Sequence, residues 1–181
     1  ELFVEKRIPI PLTEMPKHLK LAFIAIEDVR FYKHFGVDVR GIARAAYRNL
    51  IHGGIAEGAS TITQQLARNL YLTHAKNFKR KIEEAVLAIQ IERSYSKDEI
   101  LNMYLNLIYL GEGAHGVEAA AYTYFHKKAK NLTLEESATL AALTKSPSRW
   151  SPFQKSDKAM GRRNIVLKKM CSEYRINPSE V

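Results

Sequence analysis

A strongly apolar segment near the middle of the chain most constrains its fold. Residues 96–99, Ser-Lys-Asp-Glu, have the pattern of a capping box, which satisfies the free amides at the start of a helix. The apolar positions that follow are Ile100, Leu101, Tyr104, Leu105 and Ile108. Because they cover nearly the whole circumference, we expect a central core helix that ends before Gly111 and Gly113.

Helical patterns dominate the rest of the chain. A helix begins at Pro16 and buries Leu19, Phe23 and Ile26, and a second capping box at residues 133–136 begins a helix that ends before Pro147. Further helices are predicted after Asp38, over residues 78–93, over residues 116–125 and over about 158–173. Residues 3–12 predict at most an edge strand, and residues 146–152 a proline-ordered loop. The predicted class is all-α.

Two of these helices have apolar faces that their spacing defines. In the second helix Ile42, Ala45, Ala46 and Leu50 share one apolar face, Arg40, Arg44 and Arg48 lie on another side, and Gly53-Gly54 is the predicted stop. The helix over residues 78–93 has apolar positions on opposite faces, so its C-terminal half should be buried all round. Those positions are Phe78, Ile82, Ala85, Val86 and Ile89 on one face, and Leu87 and Ile91 on the other.

Composition limits the classes of protein to which the chain can belong. The 181 residues are 46% apolar and carry a net charge of +9, so we expect one globular domain, with room for two lobes, that attracts nucleic acid, anionic lipid or pyrophosphate. Cys171 is the only cysteine, which excludes an intrachain disulfide. No apolar run approaches the roughly 20 residues of a membrane-spanning helix. Since the sequence opens without Met, we expect a fragment of a longer protein.

An acidic pair follows an apolar run near the start of the chain. Residues 19–26 are almost all apolar, and Glu27 and Asp28 come next. A carboxyl group at the end of an apolar helix is held partly out of water, which disfavours its charged form and helps it both accept and release a proton. Glu27 is therefore a candidate catalytic base. The alternative is that the helix simply ends at its first polar residues.

A stretch rich in hydroxyl and amide side chains follows the small-residue loop at 53–59. Ser60, Thr61 and Thr63 stand at a predicted helix start, where side-chain donors and free backbone amides meet. This combination suits an anion or a sugar. N-capping accounts for one of the hydroxyls but not for three. The polar residues that follow are Gln64, Gln65, Arg68 and Asn69.

A carboxylate with two cations lies on the helix at residues 78–93. Glu84 has Arg80 and Lys81 four and three residues before it, on the side that we expect to be buried. The cluster is either a structural ion pair or a prepared site for a charged ligand. Asn106, inside the central helix, needs hydrogen-bond partners and predicts a tie between helices. The six histidines show no metal-ligand spacing, so no dedicated protein metal site is expected.

Four ordered motifs resemble those of peptidoglycan glycosyltransferases, the lysozyme-like transglycosylase module of class A penicillin-binding proteins and monofunctional transglycosylases. The first motif is met by Glu27, Asp28, Phe31, His34 and Gly36. The second is met by Gly58, Ser60, Thr61, Ile62, Gln64 and Gln65. The third is met by Arg80, Lys81 and Glu84, and the fourth by Ile100, Leu101, Tyr104, Leu105 and Asn106. Arg68 departs from the family, which often has Lys there.

The resemblance implies a two-lobed, lysozyme-like helical fold with a larger head and a smaller, membrane-facing jaw. It implies lipid II as acceptor, a lipid-linked glycan chain as donor, and release of undecaprenyl pyrophosphate with inversion. Glu27 would act as base, Arg80 and Lys81 would stabilise the leaving group, and Glu84 would orient them or help hold a divalent cation, Mg or Mn, on the pyrophosphate. No organic cofactor is implied. The remaining substrate-binding residues would be Asp28, Phe31, His34, Ser60, Thr61, Gln64, Gln65, Arg68, Asn69, Tyr104 and Asn106.

The resemblance also implies a location and a parent protein. Family members usually carry a membrane anchor and act on the outer face of the bacterial plasma membrane, and in bifunctional members a transpeptidase domain follows. Three alternatives stay open: a lysozyme-like glycoside hydrolase or lytic transglycosylase, a basic helical nucleic-acid-binding module, and a non-catalytic scaffold. The intact motifs argue against the scaffold. A protein that binds the phosphate backbone of nucleic acid does not need a buried carboxylate such as Glu84, which argues against the nucleic-acid-binding module.

Overall fold

The structure is a computed structural model of the 181-residue chain, and it describes residues 6–51, 58–71, 78–153 and 156–174. In these ranges the chain is mostly helical, which confirms the all-α prediction. The helices are α1 (Lys17–Glu27), α2 (Val39–Ile51), α3 (Ile62–Tyr71), α4 (Phe78–Ser94), α5 (Lys97–Leu107), α6 (Val117–Phe125), α7 (Leu134–Leu143), α8 (Pro147–Trp150) and α9 (Ser156–Tyr174). Two short strands, β1 (Lys6–Arg7) and β2 (Ala114–His115), form a parallel pair.

The described chain divides into two compact units. The first unit contains the residues up to Val29 and those from Asn102 onward, and the second contains Arg30–Leu101. This division agrees with the two lobes that the resemblance implied. None of the described helices is long and apolar enough to cross a membrane.

Three helices form the centre of the first unit. Helices α1, α7 and α9 pack against one another in all three pairings. Their apolar faces are fully buried at positions such as Leu19, Phe23, Leu140 and Val166. The helix starts follow local chemistry: α1 begins directly after Pro16, and Thr133 and Glu136 form the predicted capping box of α7.

Asn106 ties α5 to the extended segment that precedes α1. Its Nδ2 donates to the carbonyl of Ile10 at 2.9 Å, and the Ile10 amide donates to its Oδ1 at 2.9 Å. We predicted that Asn106 ties α5 to another helix, but its partner is an extended segment, so that part of the prediction is wrong. The side chain is satisfied by the backbone of a non-helical segment, as a polar group on a largely apolar helix requires.

The buried faces of α2 and α4 are narrower than their apolar positions, and the prediction that the C-terminal half of α4 is buried all round is wrong. In α2 the buried residues are Gly41 and Ala45, whereas Leu50 is 82% exposed. In α4 the buried side carries Glu84, Ala88 and Ile91, while Ile82 and Val86 on the predicted apolar face are about half exposed. Small residues and a paired carboxylate make these contacts, so hydrophobicity alone does not identify the buried side of either helix.

Two further predictions concern segment ends. Residues 146–152, predicted as a loop, contain the short helix α8, with Pro147 at its first position, where a missing amide costs nothing. The predicted stop of α2 at Gly53-Gly54 lies outside the described residues. The predicted capping box of α5 is present, since Ser96 and Glu99 exchange hydrogen bonds between side chain and backbone amide at 2.8 and 3.4 Å.

Candidate functional site

Glu27 is the last residue of α1, as the sequence predicts, and its side chain is partly buried. The helix ends there because the next residue, Asp28, leaves the helical conformation while its amide still donates to the Ile24 carbonyl at 2.9 Å. The buried apolar run Phe23, Ile24 and Ala25 fixes the end of α1 against the core of the first unit. The carboxyl group of Glu27 therefore stands on a rigid element.

The carboxyl group of Glu27 is held by Thr144, the residue that follows α7. The Thr144 hydroxyl lies 2.5 Å from Glu27 Oε1 and also 2.8 Å from the carbonyl oxygen of Ala141. A hydrogen bond between a hydroxyl and an ionised carboxylate is shorter and stronger than one between neutral groups. The contact fixes the position of one carboxyl oxygen of the predicted base.

Arg162 of α9 adds a positive charge near Glu27. Burial lowers the pKa of Arg162 below its ordinary value, and the charge of Glu27 opposes this effect. The Arg162 Nε atom is buried and has no hydrogen-bond partner among the described residues. The charges of Arg162 and Glu27 therefore act on each other.

Asp28 is buried, with 7% of its surface exposed, and lies near the end of α9. Burial, followed by the charges of Glu173 and Asp28, raises the pKa of Tyr174 to about 12. The Tyr174 hydroxyl lies 3.5 Å from the carbonyl of Val29. These contacts connect the end of α1 to α9, and the role of Asp28 as an orienting neighbour of Glu27 stays a prediction.

The second unit brings Ser60, Arg80, Lys81 and Glu84 together. Glu84 is only 1% exposed, and Lys81 Nζ donates a hydrogen bond to Glu84 Oε2 at 2.7 Å. The same Nζ donates to the Ser60 hydroxyl at 2.8 Å. Arg80 Nε lies 3.2 Å from Glu84 Oε1, a contact of opposite charges without hydrogen-bond geometry. A buried carboxylate thus fixes two cations whose side chains stay 19% and 44% exposed.

The three hydroxyls at the start of α3 have separate partners. Thr61 caps the helix: its hydroxyl accepts from the Gln64 amide at 3.1 Å, and its own amide donates to Gln64 Oε1 at 3.0 Å. The Thr61 hydroxyl also lies 2.5 Å from the Gly36 carbonyl. Thr61 and Gln64 therefore form the cap of α3, and their predicted contact with substrate stays a prediction. Of these three hydroxyls, that of Ser60 is the one that contacts Lys81.

Thr63 belongs to a buried network in the second unit. Its hydroxyl donates to Glu92 Oε1 at 2.6 Å, and Lys97 Nζ lies 2.6 Å from the same oxygen. Lys97 is also 4.5 Å from the centre of the Phe31 ring. Phe31, another predicted substrate residue, is fully buried. This network stabilises the packing of the second unit.

The other predicted substrate residues divide by exposure. In the second unit Gln65 is buried, Arg68 and His34 are partly buried, and Asn69 is exposed. In the first unit Tyr104 is 1% exposed and its ring packs edge-on against Phe23, which makes it a core residue. Among the described residues, His, Cys, Asp and Glu side chains form no group of three or more that could hold a metal ion.

Sequence reasoning missed Thr144 and Arg162. Thr144 is 117 residues from Glu27 along the chain, and Arg162 lies farther still, so no local spacing connects them. A covariation signal could find such a pair. The missed residues are the groups that the structure places around the candidate base.

Comparison with known proteins assigns the family. A family model described as Transglycosylase matches residues 2–171. Penicillin-binding protein 1F of Bacillus subtilis is 49% identical over 179 residues, which is 99% of this chain and 25% of that protein. Penicillin-binding protein 1A of Escherichia coli is 52% identical over 169 residues, 93% of this chain and 20% of that protein.

A solved structure agrees with these matches. The crystal structure of penicillin-binding protein 1A from Haemophilus influenzae aligns with a TM-score of 0.58 and 29% identity, covering 97% of this chain and 17% of that one. The chain spans at most about a quarter of the length of these relatives. It belongs to the transglycosylase family.

Proposed function

We propose that this chain is a peptidoglycan glycosyltransferase that polymerises lipid II into β-1,4-linked glycan strands. Glu27 accepts the proton of the acceptor sugar's 4-hydroxyl as that oxygen attacks the anomeric carbon of the donor. The bond to the pyrophosphate oxygen breaks on the opposite side, so the configuration inverts and undecaprenyl pyrophosphate leaves. Base catalysis of this kind contributes roughly a hundred to ten thousand fold to the rate.

The observation that carries this proposal is the buried Glu84 with its two cations. The leaving group concentrates negative charge, and preorganised donors aimed at developing charge usually supply the largest part of catalysis. Lys81 and Arg80 are held by Glu84 before any substrate arrives, so no reorganisation is needed as the pyrophosphate forms. A glycoside hydrolase, which must protonate a sugar oxygen, has no comparable use for this cluster.

Glu84 also bears on a divalent cation. Its Oε1 accepts no hydrogen bond from the described residues, yet no further carboxylate or histidine gathers with it into a metal cage. A cation at this position would therefore take most of its ligands from the substrate. Such an ion, when bound, would neutralise part of the pyrophosphate charge.

The proposal extends to the parent protein and its location. The relatives are penicillin-binding proteins about four to five times as long as this chain. We propose that the full protein carries a transpeptidase domain after this one and acts at the outer face of the bacterial plasma membrane. Because each growing strand remains lipid-linked, the substrates themselves would keep the reaction at that surface.

Lipid II turnover by wild type and Glu27→Gln tests the function. We expect wild type to form glycan strands and Glu27→Gln to lose that activity by at least a hundredfold while its circular dichroism and melting curve stay unchanged. Incubation with purified glycan strands is the second arm. Release of soluble fragments in the absence of any lipid-linked substrate would overturn the synthase assignment in favour of a hydrolase.

A further inference from the structure

We propose that Thr144 is a positioning residue for Glu27, with a hydroxyl that stays hydrogen-bonded to the carboxyl group in both of its protonation states. This inference rests on the proposed function, in which Glu27 is the base. Thr144 belongs to none of the four motifs and is added by the structure alone.

The geometry around the hydroxyl is the starting observation. Thr144 Oγ1 lies within hydrogen-bond distance of two acceptors, Glu27 Oε1 at 2.5 Å and the Ala141 carbonyl at 2.8 Å. A hydroxyl has one hydrogen to donate and two lone pairs with which to accept. Two arrangements of protons therefore satisfy the same positions of the heavy atoms.

Each arrangement matches one state of Glu27. When Glu27 is charged, Thr144 donates its hydrogen to Oε1. When Glu27 is protonated, its own O–H donates to Thr144, and Thr144 turns its hydrogen to the Ala141 carbonyl. That carbonyl also receives the Thr144 amide at 3.4 Å, so it keeps a partner in either state.

This arrangement suits a group that must gain and lose a proton in every cycle. A base that loses a hydrogen bond on protonation has to rearrange its surroundings, whereas Thr144 needs only a rotation of its hydroxyl. Preorganised groups of this kind lower the cost of charge changes in a site. Thr144 is held in place because α7 packs against both α1 and α9.

Other charged groups surround the pair. Arg162 of α9 interacts electrostatically with Glu27, and Asp28 is the next residue in the chain. Tyr174 at the end of α9 lies near enough to both Asp28 and Glu173 for their charges to act on it. These groups set the background field, and they are the same in wild type and in a Thr144 variant. A change caused by Thr144→Val therefore reports on the hydroxyl.

The experiment compares three variants across a pH series of lipid II turnover. Thr144→Val keeps the shape and removes the hydroxyl, and Thr144→Ser keeps the hydroxyl. Thr139→Val is the matched control, because Thr139 lies in α7, which ends directly before Thr144, and among the described residues its hydroxyl bonds only to the Glu135 carbonyl, at 2.7 Å. A titration of the Glu27 carboxyl followed by carbon-13 NMR, assigned with Glu27→Gln, gives a readout that does not need activity.

We expect Thr144→Val to lower kcat/KM by roughly tenfold and to move the acid limb of its pH profile upward by about one unit, because the bond that Thr144 makes with the charged carboxylate is stronger than the bond it makes with the neutral acid. The NMR midpoint should move the same way, while Thr144→Ser and Thr139→Val stay close to wild type. Unchanged midpoints in Thr144→Val would overturn the inference even if activity falls. Full activity in Glu27→Gln would instead overturn the proposed function.

Discussion

Gly36 lies directly against the backbone of Ala88 in α4. A β-carbon added to Gly36 would stand 2.9 Å from both the carbonyl carbon and the carbonyl oxygen of Ala88, and Gly36 has a φ of +83°. Backbone atoms cannot turn aside as a flexible side chain can, and this φ is strained for residues with a side chain. The glycine of the first motif is thus required for packing within the second unit.

Gly36→Ala should destabilise the protein by roughly 1–3 kcal/mol, through overpacking and backbone strain together. Urea denaturation followed by circular dichroism measures the change. Gly161→Ala is the control, since Gly161 lies in α9 with open space around its α-carbon and alanine is the better helix former. Equal stability of Gly36→Ala and wild type would contradict the close contact.

We expect Asp38 to make a pH-dependent contribution to the free energy of unfolding. Burial alone would raise the pKa of Asp38. The hydrogen bond from the Gly41 amide, the charge and hydrogen bond of Arg30 and, to a smaller extent, the charge of His34 together outweigh burial, so the pKa lies below 3.8. Arg30 Nε lies 3.1 Å from Asp38 Oδ2. The pKa of Asp38 in the folded state lies below its value in the unfolded state. The charged Asp38 therefore stabilises the fold above about pH 3.8, and this stabilisation is lost as the pH falls through the folded-state pKa.

Asp38→Asn should therefore be less stable than wild type at neutral pH, and the difference should shrink in acid below the ordinary carboxyl range. Denaturation midpoints of both proteins across a pH series measure this. Asp157→Asn, a change at an exposed carboxyl of α9, should leave the wild-type pH dependence in place. A difference that stays constant down to strong acid would show that the ion pair does not control the effect.

Lys81 and Lys79 offer a matched test of the cation cluster. Lys81 contacts the buried Glu84 and Ser60, whereas Lys79 is 85% exposed and lies 4.0 Å from Glu83 on the surface of the same helix. Lys81→Met should lower kcat for lipid II by roughly a hundredfold or more, the loss typical of a missing donor to developing charge. Lys79→Met should change kcat less than twofold. Equal effects of the two changes would point to net charge rather than to a placed cation.

Local chemistry explains which parts of this fold could be predicted from sequence. The capping boxes at Ser96 and Thr133 act within three residues, so their pattern is complete in the sequence. Gly41 and Ala45 form the buried face of α2, and a glycine carries no hydrophobic signal, so the apolar pattern of this helix does not reveal which side is buried. The bond between Thr144 and Glu27 depends on how distant helices pack, which no local spacing encodes.

The exposed face of α2 leads to the last prediction, which concerns membrane binding. Val39, Ile42 and Leu50 share one side of the helix and are 72%, 43% and 82% exposed, and an arginine stripe runs along another side at Arg40, Arg44 and Arg48. Apolar side chains flanked by basic ones are typical of helices that lie in a membrane interface. We therefore expect the domain to float with anionic vesicles at low salt.

Val39→Ser combined with Leu50→Ser should reduce the vesicle-bound fraction at least fivefold, because about 0.8 kcal/mol of transfer free energy is lost for each CH₂ group no longer buried in the lipid. Met160→Ser combined with Ile165→Ser removes two apolar side chains of α9 that are about half exposed and should leave binding unchanged. High salt should weaken binding of the wild type by screening the arginines. If both double variants float to the same extent, α2 is not the membrane contact, and net charge explains the binding to vesicles.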